Sequence, residues 1–371
     1  MRRMRFMLFL LSILYLPCAF AQRMDVTQER QSSRSFRYLV PNELYPEKLY
    51  EKNLSNGKLG GVVISVGTLR SFYTAGAQRA SELDIVDYDE NIQNFNRLHI
   101  EILKHARDRF EYLAEFFGTE ADPALVTQVK AGKIGFDRYV YQTLFQPVNS
   151  SLPPYLEEFQ TLLSHSRFDG GASSLRQGFK KHFEAQAQRK QGTEAFFWIN
   201  DAVYSHLRNL ALTDRINIIR GSWSGTTTLQ SLAKSLRASN SEVRVVDLSN
   251  LMEWLHTRAI DSKTEQPLIL FQKNIRALPL SEDAVFQFTM GNSKLGSKNE
   301  GLPKDAQFTY ATLGKDLFLK EVVDTKNLAS EAIIEVLLGN TTIGSGQSPK
   351  ASKLHRLFGN FASGISRCFL K

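Results

Sequence analysis

The chain has 371 residues, 42% hydrophobic and 23% charged, with 23 glycines and 11 prolines, a balance that excludes disordered, collagen-like and fibrous classes. Such a length suggests roughly two units, or one large core carrying an insertion. The formal charge is +8, and two cysteines are too few for a disulfide framework.

Residues 1–21 open with Arg2, Arg3 and Arg5, run through the apolar stretch Phe6–Leu16, and end in Ala19-Phe20-Ala21. A basic head, a short greasy middle and a small-x-small ending predict a secretory signal cleaved after Ala21. The middle is shorter than the ~20 residues of a bilayer span, and nothing later approaches one. The mature chain is therefore expected outside the cytoplasm, periplasmic or secreted. Loss of three arginines lowers the charge from +8 to +5, a surplus that supports no nucleic-acid partner. Cys368 is then the only cysteine left.

Residues 22–56 read as an extended, basic lead-in. Gly60-Gly61-Val62-Val63-Ile64-Ser65-Val66-Gly67 is a glycine-bounded β-branched run of the kind that forms buried parallel strands. Thr68 stands where it can cap a helix through Ala77, and Leu83–Asp89 forms a second strand ending in acids, which completes a βαβ unit. From Asn91 the period becomes helical through Ile92, Phe95, Leu98, Ile102 and Leu103, and continues to Phe117. Residues 118–197, punctuated by glycines and prolines, are expected to be an inserted helical region. A helix over Asp201–Leu212 leads to a third strand, Arg215–Arg220, and the turn Gly221-Ser222-Trp223-Ser224-Gly225. A helix over Thr226–Arg237, a fourth strand over Val243–Leu248, a helical stretch at 251–278 broken near Pro267 and a fifth strand over Ala284–Met290 follow. Phe308–Leu313 and Leu317–Val323 straddle Gly314-Lys315-Asp316 and suggest a hairpin. The pattern predicts a doubly wound, mostly parallel α/β sheet. Its core spans 57–117 and 198–325, and a helical extension covers 326–371.

In such a sheet, ligands bind beyond the carboxyl ends of the strands, where the strand order reverses. Those ends carry Gly67-Thr68-Leu69-Arg70, Asp87-Tyr88-Asp89, Ser222-Trp223 and Asp247-Leu248-Ser249-Asn250. Gly67 permits close backbone approach, free amides at the next helix start favour an anion, and Asp87 or Asp89 can accept from a ribose. The same residues also suit plain structural duty. Asp87 or Asp89 can cap the helix from Glu90, Ser249 or Asn250 can cap the one containing Met252 and Trp254, and Trp223 can be packing.

This order of parts resembles class I S-adenosylmethionine-dependent methyltransferases. Over Val62–Thr68 with Phe72-Tyr73, and over Tyr204–Arg208 through Leu248-Ser249-Asn250-Leu251, it is similar to an uncharacterised bacterial family with a methyltransferase-like core. The resemblance implies S-adenosylmethionine as cofactor, held by Gly67, Thr68, Asp87, Asp89, Ser222 and Trp223. Ser249, Tyr73 and Arg70 would then face the substrate, and Asp247 and Asn250 would orient the acceptor. Leu69 and Arg70 add bulk where the cofactor tail would lie, and Ser222 replaces a common acid. These departures motivate the alternative of a secreted binding or interaction protein, delivered toward a host, that keeps the fold without the reaction. An exported hydrolase using Asp87, Asp89 and a histidine is a third class.

Other chemistries lack support. His99 and His105 are six apart, which is not the i,i+4 spacing of a zincin, and no metal is expected. The 221–225 turn has tryptophan where a nucleophile elbow needs serine, and no Walker-type loop occurs. Residues 350–370 carry the apolar stripe Leu354, Leu357, Phe358, Phe361, Ile365 and Phe369 among basic residues. That pattern suits docking on the chain's own domain, a membrane surface or a partner's groove.

Overall fold

The computed structural model describes residues 25–29, 39–41, 49–50, 59–165, 174–189, 195–252, 255, 266–291 and 308–323. The segment expected to be a signal, residues 324–371 and Trp254 lie outside these. The described chain is an α/β structure built on one six-stranded sheet in the order β3-β2-β1-β4-β5-β6. Its strands are β1 (Val62–Ser65), β2 (Glu82–Asp87), β3 (Ile216–Arg220), β4 (Val243–Asp247), β5 (Leu280–Gly291) and β6 (Phe308–Gly314).

β1 pairs in parallel with β2 and with β4, placing Ser65 beside Ile85 on one side and Asp247 on the other. β2–β3 and β4–β5 are also parallel, and only β6 runs antiparallel to its neighbour. All four residues of β1 are buried, as the continuous Val-Val-Ile run requires of a strand covered on both faces.

Helices cover both faces of the sheet. On one lie α1 (Leu69–Gln78), α2 (Glu90–His105), α3 (Arg109–Phe117), α4 (Pro123–Lys130), α5 (Phe136–Phe145), α6 (Pro154–Ser164), α7 (Leu175–Ala187) and α8 (Asp201–Leu212). On the other lie α9 (Thr228–Ala238), α10 (Gln266–Ala277), α11 (Lys315–Phe318) and a π-helical turn at Leu319–Val323. Asp89, as expected, and Asp108, Asp122 and Asn200 each accept two backbone N–H groups as the N-caps of α2, α3, α4 and α8. At α1, Thr68 makes no cap bond, and its hydroxyl donates instead to the Leu39 carbonyl at 2.8 Å.

One expectation is corrected. Residues 308–314 do not pair with 317–323. They pair with β5, from Val285↔Gly314 to Gly291↔Phe308, while 315–323 turns helical and stacks Phe318 on Phe286 with ring centroids 3.8 Å apart. The lead-in, where described, is part of the core: Leu39, Val40, Leu49 and Tyr50 are buried against the first helical layer, and Val26 against the second.

Candidate functional site

The carboxyl ends of β1 to β4 are adjacent, so residues far apart in sequence share one rim. β1 leaves the sheet through Gly67 at φ +93°, a conformation that L side chains rarely adopt, and among the described residues, its two chain neighbours aside, no atom lies within 4 Å of where its Cβ would stand. The Asp89 N–H donates to Asp87 Oδ1 at 2.9 Å, and the backbone amides of Gly67 and Tyr88 also favour the charge of that carboxylate. Burial nevertheless pushes the Asp87 carboxyl up to about 7, because three amides do not replace the hydration lost. Asp89 is the N-cap of α2, accepting from Asn91 and Ile92. Both expected acids thus reach the rim, Asp89 with a helix-capping duty as well.

Arg70 and Asp247 meet each other. Arg70 Nη2 is 2.6 Å from Asp247 Oδ1, and its Nε donates to both carboxylate oxygens at 2.9 and 3.1 Å, with the two residues 3% and 0% exposed. Arg70 Nη1 donates to Thr289 Oγ1 at 3.1 Å, and Thr74 Oγ1 donates to Asp247 Oδ2. Tyr50 joins through Thr74, its phenol pushed well above the usual range by burial and then by the Asp247 charge. The two residues expected to face a substrate and to orient an acceptor are therefore a buried clasp across the β1/β4 switch point. Ser249 and Asn250 follow it half-exposed, with Ser249 at φ +48° and its N–H donating to Asp247 Oδ1 at 3.2 Å.

Ser222 and Trp223 are engaged too. Trp223 is buried, and its indole N–H donates to the Val86 carbonyl at 3.0 Å. The Ser222 N–H donates to the carboxylate of Glu29 at 3.0 Å, joined by the N–H groups of Thr227 and Thr228 at the start of α9. A carboxylate at a helix N-terminus meets free amides and the positive end of the helix dipole. The chain thus fills its own anion cradle, and a Cβ on Gly225 would stand 1.9 Å from Glu29 Oε1. Residues 27–29 also follow the sheet edge: Thr27 N–H donates to Ser231 Oγ at 2.9 Å, and Glu29 N–H to the Arg220 carbonyl at 3.2 Å.

Tyr73 does not come to the rim. Its hydroxyl donates to Gln186 Oε1 at 3.1 Å inside the aromatic layer, where it faces His182 and Phe196. His165, His182 and His206, which a hydrolase reading would draw on, do not gather at the acids. His182 stacks on Tyr73, His206 bonds the Ala80 carbonyl beyond the opposite end of β2, and His165 ends α6. Among the described residues no group of three His, Cys, Asp or Glu side chains could hold a metal ion, and no helix is long and apolar enough to cross a membrane.

Sequence reasoning missed Glu29, Asn96 and the Thr74–Tyr50 link. Glu29 left no local signal, because its partners lie nearly 200 residues away. Asn96 did leave one, for Ile92, Asn96, His99 and Leu103 share a helical row in which two polar residues stand among apolar ones.

No curated protein matches the chain. The sequence model of a family described as a domain of unknown function, DUF7790, matches residues 38–342, and the chain belongs to that family.

Proposed function

We propose that this chain is an exported protein with a class I methyltransferase-like core, and that it binds a nucleoside-like ligand at the Gly67–Asp87 rim without transferring a methyl group. The observation that carries the reading is the side of Gly67, beside the Asp87 carboxylate, that no described residue fills. A left-handed glycine after β1 and an acid after β2, next to the reversal of strand order, are what a nucleoside needs for close backbone approach and for a hydroxyl acceptor. Strand order 3-2-1-4-5-6 also belongs to dinucleotide-binding sheets.

Binding is favoured over transfer because the Arg70–Asp247 clasp removes the acid that would orient an acceptor. The other anion position on the rim is taken by Glu29. The half-exposed Ser249-Asn250 step favours the second reading, S-adenosylmethionine-dependent transfer, since it sets polar residues just past the carboxyl end of β4, the strand beside β1. Isothermal titration with S-adenosylmethionine, S-adenosylhomocysteine and adenosine tests the proposal. Heat is expected from each, and no heat from any at millimolar concentration removes the nucleoside reading. Conversion of S-adenosylmethionine to S-adenosylhomocysteine by the purified chain would favour transfer over binding alone.

A further inference from the structure

Of the large apolar side chains exposed among the described residues, three stand together at the end of α5: Tyr141 is 53% exposed, Phe145 59% and Val148 44%. The helix buries Tyr139, Val140, Thr143 and Leu144 on its other side, so the helical period turns Tyr141 and Phe145 outward together. Their rings meet, with centroids 4.5 Å apart. An aromatic pair four residues apart gains from that contact, yet about half of each side chain still faces water. Polar residues at both positions would leave the buried face of α5 intact, so the fold alone does not call for rings there.

The charges around the pair are basic. α7 packs along α5, and its Lys180 holds the ammonium 5.6 Å from the centroid of the Phe145 ring. Burial and then the Arg176 charge push that ammonium down, with no carboxylate acting on it. Arg176 is directed to the Phe117 carbonyl and to Gln160 Oε1. Lys181 and Arg138, one turn before Tyr141, are exposed, and the acid of α5, Asp137, stands in the first turn, two turns from Phe145. A basic occupant would be repelled. That argues against residues 350–370, whose apolar stripe carries lysines and arginines and no acid, and against a second copy presenting the same face across a two-fold axis. What fits is a negatively charged surface with an apolar layer beneath it. Rings projecting from the outer face of one helix, with an ammonium at their level, match a helix lying in lipid headgroups, where tyrosine and the long stem of lysine are favoured. Residues 350–370 combine an apolar stripe with basic residues in the same way, so two separate segments of chain present one chemistry.

We propose that the end of α5 docks on an anionic lipid surface, with the Tyr141 and Phe145 rings entering the headgroup layer and the Lys180 ammonium meeting lipid phosphate. The contact is peripheral, since no helix among the described residues is long and apolar enough to cross a membrane. It does not depend on the nucleoside reading, because none of its residues belongs to the rim of the sheet.

The test is sedimentation of the chain from Gln22 to Lys371 with two vesicles, phosphatidylcholine alone and phosphatidylcholine with roughly 30% phosphatidylglycerol. Wild type is expected to sediment with the phosphatidylglycerol vesicles and not with the neutral ones, and raising the salt to about 1 M, which shortens screening to about 3 Å, is expected to weaken it severalfold. Tyr141→Ser with Phe145→Ser, both at exposed positions, is expected to lower binding about tenfold with little change in melting temperature. Lys180→Gln is expected to lower it about fivefold. Wild type that ignores both vesicles, as it would if the patch served an acidic protein, overturns the proposal. So does unchanged binding in the folded double variant, which would place the contact in residues 350–370. Equal binding to neutral vesicles overturns it as well, since the basic side chains would then play no part. The comparison of the two vesicles needs no substitution and stands even if the double variant does not fold.

Discussion

Asp87 is a carboxylate whose environment works against its charge. In the unfolded chain it titrates near the ordinary value of 3.8, and in the folded chain near 7. Between these values the folded chain holds a proton that the unfolded chain has released, so stability falls as pH rises from about 4 to 7 and levels off above. The slope from one such group is at most about 1.4 kcal/mol per pH unit. Glu115, also raised to about 7 by burial, adds in the same direction. His99 works oppositely: burial lowers it to about 3, and the stability it contributes is lost as pH falls below about 6.5. Asp87→Asn isolates the first effect. In urea unfolding across pH 4.5–8, the variant's stability relative to wild type is expected to rise up to pH 7 and then stay flat. A pH-independent difference would show that Asp87 is not the group titrating.

At the same scale, the Arg70–Asp247 clasp puts two charges where neither meets water. Removing one leaves the other buried and unpaired, at a cost of about 3–5 kcal/mol, whereas removing both restores much of it. Arg70→Met is therefore expected to cost several kcal/mol in denaturant unfolding, and Arg70→Met with Asp247→Leu distinctly less than either single change. Additive losses would contradict the coupling.

At the scale of elements, residues 25–29 and the loop between β3 and α9 form one unit. Gly225 is required there by the Glu29 carboxylate, not by its own backbone. Gly225→Ala is expected to displace the Glu29 carboxylate, the free end of a flexible side chain, and to destabilise by about 0.5–1.5 kcal/mol for each amide bond lost. In a Glu29→Ala background that penalty is expected to disappear, as a double-mutant cycle of melting curves would read. A Gly225→Ala penalty unchanged by Glu29→Ala would place its cause in the loop itself. The same scale holds the misread hairpin. Leu317–Val323 is rich in apolar and β-branched residues, which is a strand signal on local grounds. Phe318 instead stacks on Phe286 of β5, and that packing decides the helical form.

Across the whole molecule, the expected insertion is not separable from the sheet's first helical layer. Phe116 of α3 packs on Phe95 of α2, and also on Phe159 of α6 and Phe179 and Phe183 of α7. One aromatic core thus joins helices on both sides of residue 118. Phe116→Ala is expected to cost about 3–5 kcal/mol and to lower protection in native-state hydrogen exchange for the amides of α2 and α7 together. Loss confined to α6 and α7 would instead make the insertion a separate unfolding unit.

The amino-acid sequence by itself determined the elements whose patterns are local. These are the buried Val-Val-Ile strand, the helix from Glu90 with its aspartate cap, the alternation that builds a parallel sheet, and the gathering of Gly67, Asp87 and Asp247 at strand ends. Their periodicity and turn residues act over a few positions, so they can be read without coordinates. Only the tertiary structure decided what those strand ends do. It turned Asp247 to Arg70, gave the Ser222 amide to Glu29, drew Tyr73 into the aromatic layer and brought Asn96 against Gly67. Each of these bonds joins side chains or amides from different elements, 29 residues apart for Asn96 and Gly67 and 177 for Arg70 and Asp247. Hydrogen bonds and ion pairs depend on distance in space, and no pattern in one segment of chain fixes where another segment will pass.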